Sequence, residues 1–146
     1  MSCKLLNISE AVNLGIHSMR VLSARGGKMT ASEIAGELKV SGHHLSKVMR
    51  KLVVANLVSA EKGPKGGFWL TPKQRESTLM DVYRVLEGDT EFNDCLMGES
   101  YCSGGDCIFG ELLKRVRTEF IRCFSGTKVS ASRKICNCVN KKTKES

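Results

Sequence analysis

SGHHLSKVMRKLVVANLVSAEKGPKGGFWL, Ser41 to Leu70, is the stretch that sets the fold. Its first half has the period of a helix. Ser41 stands where a cap belongs, and Leu45, Val48, Met49 and Leu52 recur on one side of a helix from His43 to about Ala55, while Lys47, Arg50 and Lys51 fall elsewhere. Its second half reads as two short strands, Leu57–Glu61 and Phe68–Leu70, joined by a loop of lysine, proline and glycine. Phe68 and Trp69 suit a strand, and Gly63, Gly66 and Gly67 can take the backbone angles that a tight loop demands.

Upstream, Ile8 to about Arg25 has apolar residues at helical spacing (Ile8, Val12, Ile16, Met19, Leu22), with Ser9 as a cap and Gly26-Gly27 as the stop. TASEIAGELKV follows. Thr30 and Glu33 have the spacing of a capping box, in which each side chain bonds the other's free backbone N–H, so a short helix is expected over Ala31–Leu38. Val40-Ser41-Gly42 then makes the turn into the third helix. Two helices joined by such a turn form a helix-turn-helix, whose second helix fits the major groove. The basic hairpin directly after it is a wing, with lysines in reach of phosphates and glycines that permit close approach to a groove.

Downstream, Thr78 and Asp81 form another capping pair, opening a helix that Gly88 ends. Ile108 to Phe124 forms a long helix with Leu112, Val116 and Phe120 on one stripe and Leu113 and Ile121 beside it, a candidate dimerisation element or an ordinary packed helix. The expected class is mainly α with a small β-hairpin wing: a winged helix-turn-helix plus a long dimerisation helix. The expected divisions are a DNA-binding domain at 1–90, a cysteine loop at 91–107, the dimerisation helix at 108–128 and a basic, flexible tail at 129–146.

The formal charge of +8 is concentrated. Between Lys39 and Arg75 lie eight of the 23 basic residues and one of the 15 acidic ones, which leaves the rest of the chain nearly neutral. One basic segment on a neutral protein suggests a face for a polyanion, although a solvated surface has the same composition. At the start of the third helix, Ser41, His43, His44 and Lys47 are placed to touch base edges or nearby phosphates. On the wing, Lys62 and Lys65 would touch phosphates or reach the minor groove, with Gly66 allowing the approach. His43 and His44 are poor joint metal ligands, because neighbours on a helix point about 100° apart.

CLMGESYCSGGDC, Cys95 to Cys107, places three of seven cysteines within thirteen residues, with Gly98, Gly104 and Gly105 between them. The N-terminus lacks the apolar core and cleavage site of a secretory signal, so a cytoplasmic location is expected, as is no membrane association. Reduced, clustered thiols there bind metal or sense redox state, and an odd cysteine count argues against a full disulfide set. Iron–sulfur and zinc compete for this loop. Cys123, within an apolar helix, is expected to be a packed small residue. Cys3, Cys136 and Cys138 lie apart from the loop, the last two as incidental thiols of a polar tail.

Together these features resemble the Rrf2 family of bacterial winged-helix regulators. The resemblance runs from about Leu5 to Val129, and ANLVSAEKGPKGGFWL (Ala55–Leu70) is its most specific part. It implies a homodimer on a palindromic double-stranded DNA operator. It also implies an iron–sulfur cluster, 2Fe–2S or 4Fe–4S, held by Cys95, Cys102 and Cys107 plus one non-cysteine ligand. Some members take that ligand from a histidine three residues after the last cysteine, where this chain has Gly110. Others take it from the first helix, where this chain offers His17, with Glu10 and Asn13 on the same side. The implied function is a transcriptional repressor or other regulator that senses redox state, nitric oxide or iron–sulfur status. The alternatives are a cluster-free thiol- or partner-regulated repressor of the same fold, or a small iron–sulfur redox protein. No Ser-His-Asp set, phosphate loop or paired carboxylates suggest an enzyme.

Overall fold

The computed structural model describes residues 8–89 and 107–131. The elements are α1 (Glu10–Arg25), α2 (Ala31–Leu38), α3 (Gly42–Val54), β1 (Ser59–Glu61), β2 (Gly67–Trp69), α4 (Pro72–Arg75), α5 (Leu79–Glu87) and α6 (Leu112–Gly126). The mainly helical class with one antiparallel hairpin is as expected. Among the described residues no helix is long and apolar enough to cross a membrane.

Local signals fix the helix starts. Ser9 caps α1, its hydroxyl accepting from the Val12 N–H at 3.3 Å. Thr30 and Glu33 close a capping box on α2, and Thr78 and Asp81 close one on α5. Ser41 occupies the cap position of α3 but makes no capping bond through its side chain. A third capping box, Thr71 with Gln74, opens the one-turn helix α4 behind Pro72. The Thr-x-x-Gln spacing signals it in the sequence, but four residues are too few to show an apolar period.

Helices α1, α3 and α5 meet at Gly15. A Cβ there would lie 2.6 Å from Leu86 Cδ1, 3.1 Å from Val82 Cγ1 and 3.6 Å from Leu52 Cδ1, so a side chain would push Leu86 and Val82 from their present positions. Around the crossing, Val12, Met19, Ile34, Leu45, Met49, Leu52 and Val82 are fully buried. Tyr83 extends the core to α6 through edge-on ring contacts with Phe120 and Phe124, at centroid separations of 5.3 and 6.0 Å.

Two features of the C-terminal half differ from expectation. Helix α6 starts at Leu112 rather than Ile108, because Gly110 takes a left-handed φ of 51° and holds residues 108–111 in turns. Its end is docked: the Leu79 N–H donates to the Thr127 carbonyl (2.9 Å), the Val129 N–H donates to the Ser77 carbonyl (2.9 Å), and Lys128 pairs with Glu76. Val129, placed by the sequence at the head of the tail, is buried.

Candidate nucleic-acid interface

Helix α3 is two-sided. Leu45, Val48, Met49 and Leu52 point into the core, and Gly42, His43, Ser46, Lys47, Arg50 and Lys51 are exposed along the opposite side. The exposed set repeats at three and four residues, so it forms one continuous stripe. His44 turns off that stripe. It is half-buried, and its Nδ1 lies 3.5 Å from Glu10 Oε1 at the start of α1. The sequence grouped His44 with His43 and Lys47; the structure instead aligns His43 and Lys47 with Ser46, Arg50 and Lys51. Helical spacing alone signals that alignment.

The wing follows this helix in the chain. Strands β1 and β2 pair with Ser59 opposite Trp69, Ala60 opposite Phe68 and Glu61 opposite Gly67. Lys62, Pro64 and Lys65 are exposed at its tip, closed by a Gly66 N–H bond to the Gly63 carbonyl at 2.9 Å. A Cβ on Gly66 would lie 2.2 Å from the Glu61 carbonyl oxygen, so any side chain there would force the backbone of the tip to shift. The far edge of the hairpin pairs with Met29 through Phe68, in two backbone bonds of 2.9 and 2.8 Å. Lys28 pairs with Glu61, the wing's single acid, and its ammonium lies 5.0 Å from the Trp69 ring centroid. That contact neutralises Glu61, and sequence reasoning missed it because a lone bridging residue before α2 carries no periodic signal.

At the N-terminus of α2, the Thr30 N–H donates to Glu33 Oε2 at 2.7 Å and the Glu33 N–H donates to Thr30 Oγ1 at 3.2 Å. The bond from the Thr30 backbone, aided by the Thr30 hydroxyl and the charge of Arg25, holds the Glu33 carboxyl below the usual carboxylate range against a small opposing effect of burial. A shallow groove between this helix start and the wing is lined by Thr30, Ala31, Gly63, Gly66 and Phe68. The wing is thereby tied through Met29 and Lys28 to the segment that leads into α2.

Of the sequence-predicted cluster ligands, Cys95 and Cys102 lie outside the described residues, as do Cys3, Cys136 and Cys138. Cys107 is exposed and outside any disulfide, in the segment leading into α6. His17 is exposed on α1, and its Nδ1 donates to the Asn13 carbonyl at 2.8 Å. A carbonyl only accepts, so the neutral ring carries its proton on Nδ1 and offers the Nε2 lone pair outward. Metal-binding histidines are commonly oriented by that same bond. Glu10, by contrast, is directed to His44. Among the described residues no group of three or more His, Cys, Asp or Glu is placed to hold a metal. Cys123 is exposed on the flank of α6 rather than packed, because Phe120 and Phe124 take the inward positions around it.

Residues 8–131 match the profile of the Rrf2 family, described as an iron-dependent transcriptional regulator. The chain belongs to the Rrf2 family. Among curated relatives, it is 38% identical to the HTH-type transcriptional regulator YwgB of Bacillus subtilis over 81 residues, which are 51% of this chain and 52% of that one. The chain thus spans about half the length of YwgB. It is 28% identical to the HTH-type transcriptional repressor NsrR of Streptomyces coelicolor over 119 residues, covering 79% of this chain and 80% of the relative. The fold is similar to that of CymR, the global cysteine regulator of Bacillus subtilis, with a TM-score of 0.68 at 26% identity, covering 85% of this chain and 93% of CymR. The Rrf2 chains are regulators rather than enzymes.

Proposed function

We propose that this Rrf2 chain is a homodimeric transcriptional regulator that binds a palindromic DNA operator, and that an iron–sulfur cluster controls its affinity. The observation that carries the DNA reading is the exposed basic stripe of α3, followed in the chain by a wing whose tip exposes Lys62 and Lys65. His43, Ser46, Lys47 and Arg50 would face the groove, with Ser41 at the helix start and Lys62, Lys65 and Gly66 against the flanking backbone. The second copy would be met along α6, where Leu112, Val116, Phe120 and Phe124 line an open apolar groove.

The cluster, of the 2Fe–2S or 4Fe–4S kind, would be held by Cys95, Cys102, Cys107 and His17. The free thiol of Cys107 and the outward Nε2 of His17 fit that donor set, as does the iron-dependent description of the family. When bound, such a centre supplies redox chemistry, at a potential raised by substituting imidazole for thiolate. The chain's own part is coupling. A ligand on α1 would tie the loop at 91–107 to a helix that packs on α3, and the Glu10–His44 contact joins the same two helices off the exposed stripe. A coupling of about 1–3 kcal/mol between loop and operator sites suffices for regulation.

The decisive experiment is anaerobic purification, followed by an absorption spectrum, iron analysis and operator-binding titration. Coloured, iron-containing protein is expected, with both properties lost in Cys102→Ala and with operator affinity changed by air or nitric oxide. Equal binding by loaded and cluster-free forms would overturn the sensing role. A second reading, a cluster-free thiol-regulated repressor, is favoured by the likeness to CymR and by the exposed thiols of Cys107 and Cys123. It predicts colourless protein whose binding responds to thiol oxidants.

A further inference from the structure

Gln74 is a buried polar side chain in a four-residue helix that the proposed DNA contacts do not use. Its amide joins three separate segments. Oε1 accepts from the Thr71 N–H at 2.9 Å and from the Ser59 hydroxyl at 3.0 Å; Nε2 donates to the Asn56 carbonyl at 3.1 Å. Asn56 is the left-handed residue (φ 61°) that turns the chain out of α3, and Ser59 is the first residue of β1. Thr71 follows β2 after Leu70. One side chain therefore bonds the exit of the recognition helix, the entry of the wing and the segment leaving the wing.

We propose that Gln74 is the positioning residue that sets the wing against the recognition helix, so that both engage one duplex. A hairpin with strands of three residues has little stability of its own and takes its orientation from what anchors it. The outer anchor is the Met29–Phe68 pairing, and Gln74 is the inner one. The chemistry requires an amide. A glutamate would set carboxylate oxygen against the Asn56 carbonyl, and a methionine of similar bulk would leave the Thr71 N–H and that carbonyl without partners. This inference builds on the DNA-binding reading for its consequence, but its geometric content can be measured without DNA.

The experiment pairs two measurements on wild type, Gln74→Met and Ser59→Ala. The first is amide hydrogen exchange of the free proteins. Gln74→Met should speed exchange in the β1–β2 ladder about tenfold relative to α5, the order expected when a buried hydrogen-bonding group loses its partner. Ser59→Ala, which removes one of the three ties and does not threaten folding, should give a smaller change of the same kind. The second is binding to a mixed-sequence DNA duplex as a function of salt. In wild type, Lys62→Ala with Lys65→Ala should lower the salt slope by about two. In the Gln74→Met background the same pair should remove little more, while the contribution of Lys47 stays intact. Wing exchange unchanged in both variants, or wing lysines fully additive with Gln74→Met, would overturn the role. Wild-type protein that shows no salt-dependent duplex binding would defeat the DNA reading instead, and the exchange comparison alone then decides the role of Gln74.

Discussion

Helices α3 and α6 are close in length, 13 and 15 residues, and both are amphipathic, yet their outward sides differ in kind. In α3 the four apolar positions of the inner side are 3% exposed or less, and apart from Val54 at its last position, 83% exposed, what remains outside is mostly basic or small and polar. In α6 only Leu113 and Phe120 are buried; Val116, Ile121 and Phe124 are half-covered, and Leu112 is 52% exposed. Apart from its last residue, the first helix completes its apolar packing within the chain and presents charge outward. The second keeps apolar area in reserve, next to the turn in which Ile108 and Phe109 are also exposed. Periodicity shows which side of a helix is apolar, but not whether the same chain or a second copy covers it.

The sharpest way to break this contrast is to truncate one buried and one exposed apolar position of α6. Phe120→Ala removes the ring that packs on Tyr83 and should cost about 3–5 kcal/mol of folding stability. Leu112→Ala should cost under about 0.5 kcal/mol within the protomer, as a surface change, yet weaken self-association. Chemical denaturation at fixed protomer concentration, with sedimentation across a dilution series, measures both. If Leu112→Ala destabilises the protomer as much as Phe120→Ala, α6 is an ordinary packed helix.

A smaller effect separates the charged sides. Lys47 on α3 and Lys114 on α6 are both exposed lysines, the latter 3.8 Å from Glu111. Lys47→Ala should reduce the salt slope of duplex binding by about one, the signature of one lost phosphate contact, and Lys114→Ala should leave it unchanged. Equal losses would mean that net charge, rather than a defined surface, binds the DNA.

The same contrast explains what could be read in advance. The recognition unit was legible because its determinants are local. The Thr30/Glu33 and Thr78/Asp81 boxes, the α3 period and the wing glycines each declare themselves within a few residues. Contacts made across long sequence separations were not. Met29 pairs with Phe68, Lys28 meets Glu61 and Trp69, Gln74 reaches back to Asn56, and Val129 is buried beside Ser77. None of these partners is set by a spacing. His44 and Cys123 show the same limit: one side chain turned off the α3 stripe to meet Glu10, and one thiol left outside while its aromatic neighbours pack inward. For the proposed cluster, the i to i+4 step from Asn13 to His17 is visible in the sequence, but the bond that frees Nε2 is visible only in the structure.

The smallest predicted effect sets a carboxylate of the recognition unit against one of α6. Glu33 is held below its ordinary range first by the Thr30 backbone N–H, and Glu119 by its hydrogen bond to Arg122, 2.6 Å away at Nη2. Both folded-state values are depressed, so each carboxylate contributes stability that is complete above its unfolded value, near 4.5, and is lost as pH falls through the lower folded value. Glutamine cannot titrate but can still close a capping box. The stability difference between wild type and Glu33→Gln should therefore shrink on acidification below that range, and so should the difference for Glu119→Gln. Salt separates them. The Glu119–Arg122 pair is exposed and joins two mobile charged side chains, so raising ionic strength should reduce its difference. The Glu33 bond is short-range and made to a fixed backbone donor, so most of its difference should survive. Denaturation midpoints at two salt concentrations across the acid range measure this. A Glu33 difference that vanishes with salt would mean that Arg25, rather than the helix start, holds that carboxylate.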